Sequence, residues 1–481
     1  MNLKYDTVII GAGPAGLAFA NYALLSNPQE KILIVEKDNT IGGCHKVNRK
    51  RYLNEYYFCE HGPRIYISNY VNFIQILKQM KLNFNDLFNK YNHSFFSISN
   101  DIIFNQQAFT FKEILILIKD FIIIIFSNTY GIDISMYDYM NNNNFTKKAI
   151  SIIDFLSRKI DGGDSKRISL NQFFNSTIQS FMYSIYIPKL PNDEGLFNYW
   201  KRYLIHNNIH FKLNTKVKGV IKDEKDENKI TSINITNEEN KEEIITANKF
   251  IFAIPPTHLS EILISDKNLE KYAKETEYND YISLSFHWDY NLNLDPNIND
   301  FITKTDWGLI CMNMSEYMKF KESKSKTVIS IALILPENKS SYSNKTVNDC
   351  SEENELFEEV YQQLLNVYKN IPKPSLYFIN NYYDKTEKKW KSNEKAYVKV
   401  PNINYINFKI NNYSNIYTLG THNGKHKNSF TSLESAVSNS IKLANLIYNK
   451  NYKIKRCFDL RDLIIIILAV IIVIIIIWMK T

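Results

Sequence analysis

The sequence predicts an α/β protein: a parallel sheet with helices on both faces, interrupted by an inserted α+β domain and followed by a C-terminal transmembrane helix. Three observations predict this. The first forty or so residues read strand, glycine turn, helix, strand; far downstream a β-meander with charged turns returns to a buried apolar strand; and the chain closes on an uninterrupted aliphatic run.

Residues 5–10, YDTVII, are apolar without polar alternation, as a central parallel strand covered on both faces requires. GAGPAG follows, then LAFANYALL as a helix and KILIVE, from Lys31 to Glu36, as the second strand. Gly11 permits the tight turn, Gly13 lets the backbone approach a pyrophosphate, and Gly16 lets the helix pack close to the strand. The helix N-terminus, opened by Pro14 and Ala15, then turns its partial positive charge toward phosphates. Glu36 lies twenty residues beyond Gly16, where a carboxylate accepts hydrogen bonds from ribose hydroxyls and repels a 2′-phosphate. The unit is a Rossmann-type dinucleotide site that disfavours NADP.

Farther along, GLFNYWKRYLIHNN reads as a helix, IHFKLNTKVKGVI as a strand or strand pair, and KITSINIT and EEIITANKFIFAI as two more strands that stop at Pro255 and Pro256. NIYTLG is a buried strand entering a loop, and SLESAVSNSIKLANLIY an amphipathic helix. The dinucleotide domain is therefore discontinuous, over 1–95, 196–270 and 405–455. Residues 96–195 and 271–404 form the inserted domain, and 456–481 the tail.

At 481 residues, with 44% hydrophobic and 14% aromatic content, the chain can build more than one core. An excess of Ile, Asn, Lys and Tyr runs throughout and carries little functional information. The net charge of +8 is spread thinly with no long basic block, which argues against a nucleic acid partner. Lys453 to Arg456, just before the terminal apolar run, is the one basic cluster suited to an anionic membrane. Five cysteines without CxxC spacing, and a strand entered directly at the N-terminus without a signal peptide, predict that the main body sits in a reducing compartment.

Leu463 to Met479 are 17 uncharged, almost wholly aliphatic residues. As a helix they span about 26 Å, enough for a thin bilayer. Trp478 and Lys480 suit its interface. This predicts a single-pass tail anchor that leaves the main body in the cytosol. A second apolar stretch, Glu113 to Phe126, is interrupted by Lys119 and Asp120 and reads as a core helix, with a helix that dips into the membrane and lines a substrate entrance as the alternative.

The marks DTVIIGAGPAGLAFA, VEKDNTIGG and EHGPRIY, then LPNDEGLFNYWKRYL with NIHFKLNTKV, FAIPPTHL, and YTLG with SLESAVSNS, occur in order over most of the chain. In these the chain resembles the flavin-dependent amine oxidoreductase superfamily, which includes monoamine oxidases, protoporphyrinogen oxidases and phytoene desaturases. The resemblance implies FAD, held non-covalently. It places Gly42 and Gly43 against the pyrophosphate or ribityl chain, followed by Cys44 and His45, with Lys37 beside Glu36. It puts Gly62, Pro63 and Arg64 near the isoalloxazine, the backbone of Val217 at adenine, and Gly420, Thr421, Ser432 and Leu433 at the pyrimidine end and ribityl chain.

The sequence departs from the family at three points. Cys44 and His45 stand where many members have an arginine; Thr421 replaces a usual acidic residue; and DYISLSFHWDY lacks the lysine that oxygen-using members carry there, so that Ser283, Ser285 and His287 inherit no assigned role. No cysteine lies between Cys350 and Cys457, which argues against a covalent flavin link. The His206/His210 and His422/His426 pairs lack further ligands at suitable spacing, so no metal is expected. His422 follows Gly420 at a strand end and is a candidate neighbour of the flavin, a solvent-facing loop histidine being the alternative.

The activity implied is hydride transfer from a C–H bond of an amine or lipid-like substrate to flavin N5, with the electron acceptor, O₂, quinone or other, left open. Arg64, His422, Tyr397 and Trp390 are the catalytic candidates, with Trp288 and Trp307 as further aromatic walls. EHGPRIY also resembles a loop of UDP-galactopyranose mutases, which leaves a flavin-dependent isomerase or mutase as an alternative. A catalytically inactive FAD-binding scaffold is the other.

Overall fold

The computed structural model describes residues 4–92, 109–161, 163–264, 266–294, 305–394, 396–398, 405–410, 412–424 and 432–479. Strand β1 (Lys4–Ile10), helix α1 (Pro14–Ser26) and strand β2 (Ile32–Val35) open the chain as the glycine turn requires. β1 pairs in parallel with β2 on one side and with the end of Glu242–Phe252 on the other, Ile9 lying opposite both Ile34 and Ile251. His210–Lys212 extends the parallel array beyond β2, and Ile416–Thr418 extends it beyond Phe252.

Glu242–Phe252 serves two sheets' worth of pairing. Its first half runs antiparallel to Ile230–Asn237, which pairs in turn with Thr215–Lys222, and its second half joins the parallel array. Alternation then sorts the side chains. Ile9, Ile32, Ile34 and Ile251 face α1 and the helix Leu433–Tyr448, whereas Val8, Ile10, Leu33, Val35, Phe250 and Phe252 join Ile233, Ile235 and Leu259 on the opposite face. Each such side chain contributes roughly 1.5–3 kcal/mol on burial. α1 is apolar all round and is buried from Ala15 to Leu24, as a helix with no polar face must be.

The second sheet is antiparallel, in the order Leu309–Asn313, Thr327–Leu333, Ile282–Trp288, Leu376–Ile379. Its core holds Trp288, Trp307 and Trp390 beside the helix Glu353–Leu365. Their indole N–H groups donate to the carbonyls of Pro372 (3.1 Å), Asn338 (3.0 Å) and Cys350 (2.8 Å). The three tryptophans are therefore structural, and Trp390 is withdrawn as a catalytic candidate. The hairpin β3 (Val47–Tyr52) and β4 (Glu55–Glu60) packs on this sheet, where Ser283 Oγ donates to the Glu60 carbonyl at 2.8 Å.

Helices Phe111–Phe126, Met136–Asn142, Lys147–Asp161 and Leu170–Ser180 enclose a third apolar cluster. Thr110, Ser135 and Ser169 cap three of them. Phe111–Phe126 is a core helix only in part: Ile124 and Ile125 are buried in the cluster, but a full face of the helix is exposed. Leu460–Trp478 is a helix capped by Asp459, with its flank bare from Ile465 onward. Among the described residues it is the one helix long and apolar enough to cross a membrane.

Candidate functional site

Four main-chain hydrogen bonds align the carboxyl ends of the parallel strands. Gly11 donates to Val35 (2.8 Å), Glu36 to Lys212 (2.9 Å), Ala253 to Ile10 (2.7 Å) and Leu419 to Phe252 (2.9 Å). The loops leaving these strands open side by side, where α/β sheets bind ligands.

The glycine turn is held tightly. A methyl group at Gly11 would lie 2.5 Å from the Ala253 carbonyl oxygen, and one at Gly16 would collide with the Gly11 carbonyl. Gly42 donates to the Ala12 carbonyl (2.9 Å), which brings the second glycine pair against the first. Gly43 adopts φ +56°, and a methyl there would meet Gly13 Cα at 3.1 Å. Gly13 and Gly43 thus face one another as bare backbone at the N-terminus of α1, beside Pro14 and Ala15. The Glu36 carboxylate accepts from Ala12 N (2.8 Å) and Asp38 N (3.1 Å), which fixes it beside the turn. Burial raises its pKa, outweighing these two bonds. Lys37, next to it, is exposed.

Thr215 N donates to the Glu36 carbonyl (2.9 Å), so the strand containing Val217 starts at the end of β2. Val217 buries its side chain opposite Ile235 and sits on the outermost strand of the meander.

Cys44 and His45 follow in a short 3₁₀ turn, with His45 5.8 Å from the Tyr66 ring and Asn192 donating to its carbonyl. The Arg64 guanidinium is close enough to act on Cys44, His45 and His61. Burial, assisted by that charge, holds both histidines far below the usual imidazole range, and burial pushes the Cys44 thiol up. Arg64 Nη2 donates to the His61 carbonyl at 3.2 Å, while Gly62, at φ +91°, and Pro63 turn the chain between them. His45 Nδ1, His61 Nε2 and Arg64 Nε are buried without a hydrogen-bond partner among the described residues. Buried polar groups are rarely left so, and three on converging loops mark where a polar ligand would be met.

Sequence reasoning missed the network beside them. Lys46 Nζ lies 2.5 Å from Asp38 and 2.9 Å from Glu394. Asn48 and Asn380 also donate to Glu394, and Ser392 Oγ is 2.7 Å from His61 Nδ1. Burial alone would raise the Glu394 pKa, but Lys46 outweighs it and the carboxyl is held low. Lys46 and Glu394 are almost 350 residues apart, and no local pattern announces their pairing.

The last strand closes the site. Gly420 packs its Cα against the His422 ring, where a methyl would come within 2.5 Å of Cε1, and its carbonyl accepts from Asn439 Nδ2 at 2.6 Å. His422 is buried rather than solvent-facing: Nε2 hydrogen-bonds with Thr418 Oγ1 at 2.8 Å, and burial lowers its pKa to about 3. Thr421 starts the 3₁₀ turn that carries it. Ser432 caps Leu433–Tyr448, Leu433 is buried, and Ser440 donates to the Ala15 carbonyl, locking this helix to α1.

Other candidates lie elsewhere. His287 spans Phe58 O and Ser325 Oγ, and Ser283 is committed to Glu60 and Asn381, so both are structural. Tyr397 sits in the strand Ala396–Val398 with Tyr278 as its register partner. His206 ends a helix, His210 meets the Tyr5 hydroxyl at 3.2 Å, and His426 and Lys480 lie outside the described residues.

The family model of the NAD(P)-binding Rossmann-like domain matches residues 9–80. No curated relative matches the sequence. Among solved structures, the chain is similar to putrescine oxidase bound to putrescine (12% identity, 93% of this chain and 100% of that one, TM-score 0.60). It is similar to cyclohexylamine oxidase from Brevibacterium oxydans IH-35A (12% identity, 92% and 99% covered, TM-score 0.58). A protein assigned as a protoporphyrinogen oxidase, from Exiguobacterium sp. 255-15, matches at 15% identity over 93% of this chain and 99% of its own, with TM-score 0.60. At such identities the likeness is one of fold, and it extends over nearly the whole length of each chain. The chain thus shares the α/β fold of these solved oxidases, and adds an apolar helix at Leu460–Trp478.

Proposed function

We propose that the chain is an FAD-dependent oxidoreductase that removes hydride from a C–H bond of an amine or lipophilic small molecule, with Leu460–Trp478 as its membrane anchor. The observation that carries this reading is the bare-backbone contact of Gly13 with Gly43 beside the fixed carboxylate of Glu36. A diphosphate fits against glycines where a side chain would not, and a ribose fits against the carboxylate. The residues present fit the cofactor: Gly11 to Gly16, Gly42 and Gly43 would hold the diphosphate, Glu36 the ribose, the Val217 backbone the adenine, and Arg64 with the Gly420 turn the flavin end. When bound, FAD supplies the electron sink for two-electron oxidation of a C–H bond to an imine or a double bond.

The protein's own part is to hold, orient and exclude water. Arg64 and the neutral His45 and His61 line one side, and the buried Thr418–His422 pair keeps Gly420 in place. Attachment is non-covalent in this reading, because Thr421 and its described neighbours carry no cysteine.

The test uses the full chain purified in detergent. A flavin spectrum is expected, with all the flavin released on acid precipitation, and bleaching on anaerobic mixing with an amine or prenyl lipid. Reoxidation is then followed with O₂ and with a quinone. A colourless protein that takes up no added FAD defeats the proposal. Turnover of a UDP-sugar only after prior reduction would replace oxidation with isomerisation.

A further inference from the structure

The helix Phe111–Phe126 is built inside out for a water-facing element. Its two carboxylates are buried: Glu113 is 3% exposed and Asp120 1%. Both are satisfied there, Glu113 by the amides of Thr110 and Thr146, and Asp120 by the hydroxyls of Tyr130 (2.8 Å) and Tyr139 (2.5 Å). The outer surface carries Phe111, Ile114, Leu115, Ile118, Ile122 and Phe126, with the two phenylalanines 76% and 63% exposed. Steps of three and four place these six on one stripe along about 24 Å of helix. Water-facing surfaces of soluble proteins rarely carry so continuous an apolar stripe.

What covers the stripe follows from its attachment. Arg461, in the first turn of the terminal apolar helix, donates to the carbonyls of Ile125 (2.8 Å) and Ile124 (3.2 Å) and to Asn175 Oδ1 (2.8 Å). Leu460 and Ile464 pack on the same cluster as Ile116, Leu117 and Phe121. Asp459 caps the terminal helix and pairs with Arg456, and Tyr183 donates to the Phe458 carbonyl (2.6 Å). The root of that helix is thus fastened to the last turn of Phe111–Phe126, and inserting the one in a bilayer brings the other to the bilayer surface. Lys112 and Lys119 are exposed at the border of the stripe, where ammonium groups reach lipid phosphates.

We propose that Phe111–Phe126 lies in the membrane interface as a second contact, its apolar stripe among the acyl chains, and so fixes the orientation of the catalytic body on the membrane. The inference rests on the reading of Leu460–Trp478 as an anchor, and extends it from a tether to a docked surface.

The test places the photo-crosslinking residue p-benzoylphenylalanine at Ile118, and separately at the exposed Tyr342 of the second domain, in the full chain reconstituted into phosphatidylcholine–phosphatidylserine vesicles. Flotation reports the anchor, and mass spectrometry of adducts reports the stripe. The expected result is flotation of both proteins, with lipid adducts at 118 and none at 342. Flotation without lipid adducts at 118 overturns the inference while leaving the anchor intact, as does crosslinking of 118 to a second copy of the chain. Failure to float defeats the anchor, and this inference with it.

Discussion

Replacing Gly43 by alanine separates the proposed cofactor cradle from ordinary packing. At φ +56° an L-residue costs about 1–2 kcal/mol relative to glycine. The added methyl would stand 3.1 Å from Gly13 Cα, where carbon atoms prefer about 3.5–4.0 Å, so roughly half an ångström must be found. Gly13 cannot supply it freely, because its carbonyl accepts from Leu17 N at 3.0 Å in the first turn of α1. Together these terms give a loss of about 2 kcal/mol, or a fall in Tm of about 2 °C for a chain of this length. If the two glycines hold a diphosphate, parting them also removes its seat, and FAD affinity falls by at least about tenfold, equivalent to roughly 1.4 kcal/mol.

The assay pairs thermal unfolding with flavin titration of the deflavinated protein. Gly219→Ala is the control, since nothing lies within 4 Å of a methyl there and the strand prefers alanine to glycine. It should unfold no earlier than wild type and keep its flavin. A Gly43→Ala protein that loses the expected stability but binds FAD with unchanged affinity would refute the cradle.

Lys46→Met removes the partner of Glu394, whose side chain is 4% exposed, and of the more accessible Asp38. Breaking a buried pair this way costs about 3 kcal/mol, and Lys46→Met combined with Glu394→Gln should recover part of it in urea unfolding. His422 titrates near 3 in the folded chain against its ordinary 6.5, so the unfolded state binds the proton more tightly between those values. Its contribution is complete above pH 6.5 and declines as pH falls toward 3, at up to about 1.4 kcal/mol per pH unit, and His61 acts in the same direction. Urea midpoints measured from pH 7 to 4 should fall less steeply for His422→Gln than for wild type; equal slopes would mean that His422 does not titrate as a buried group.

Local pattern carried the parallel sheet. The strands at 4–10, 32–35 and 416–418, and the Phe250–Phe252 end of 242–252, are short runs dominated by apolar residues, and each forms where its pattern places it. The glycine turn was legible because the backbone geometry it needs excludes other residues. The tryptophans were not, since a large aromatic lines a cavity or fills a core with the same sequence signature, and only the hydrogen bonds of Trp288, Trp307 and Trp390 assign them to the core. The helix at 111–126 was legible as a helix, and as a core helix only in part. Glu113 and Asp120 interrupt its apolar run, and apart from the Thr110 amide the groups that satisfy them, Tyr130, Tyr139 and the Thr146 amide, come from 10 to 33 residues later.

The arginine missing after the paired glycines has a structural answer. Lys46, two residues beyond Cys44, is the nearest cation in sequence, but it is committed to Asp38 and Glu394. His45 and His61 are kept uncharged by burial and by Arg64. Within that group the cation without an ion pair among the described residues is Arg64, which keeps Nε without a partner and offsets part of the burial that raises the Glu60 carboxyl. Glu36 puts a carboxylate beside the opposite, ribose end of the proposed site. The proposed site would then be polarised along its length, and a guanidinium at its flavin end would be one of the groups by which a protein tunes electron acceptance. In the proposed reading, with Cys44 and His45 rather than an arginine after the paired glycines, Arg64 would be the residue on which that tuning depends.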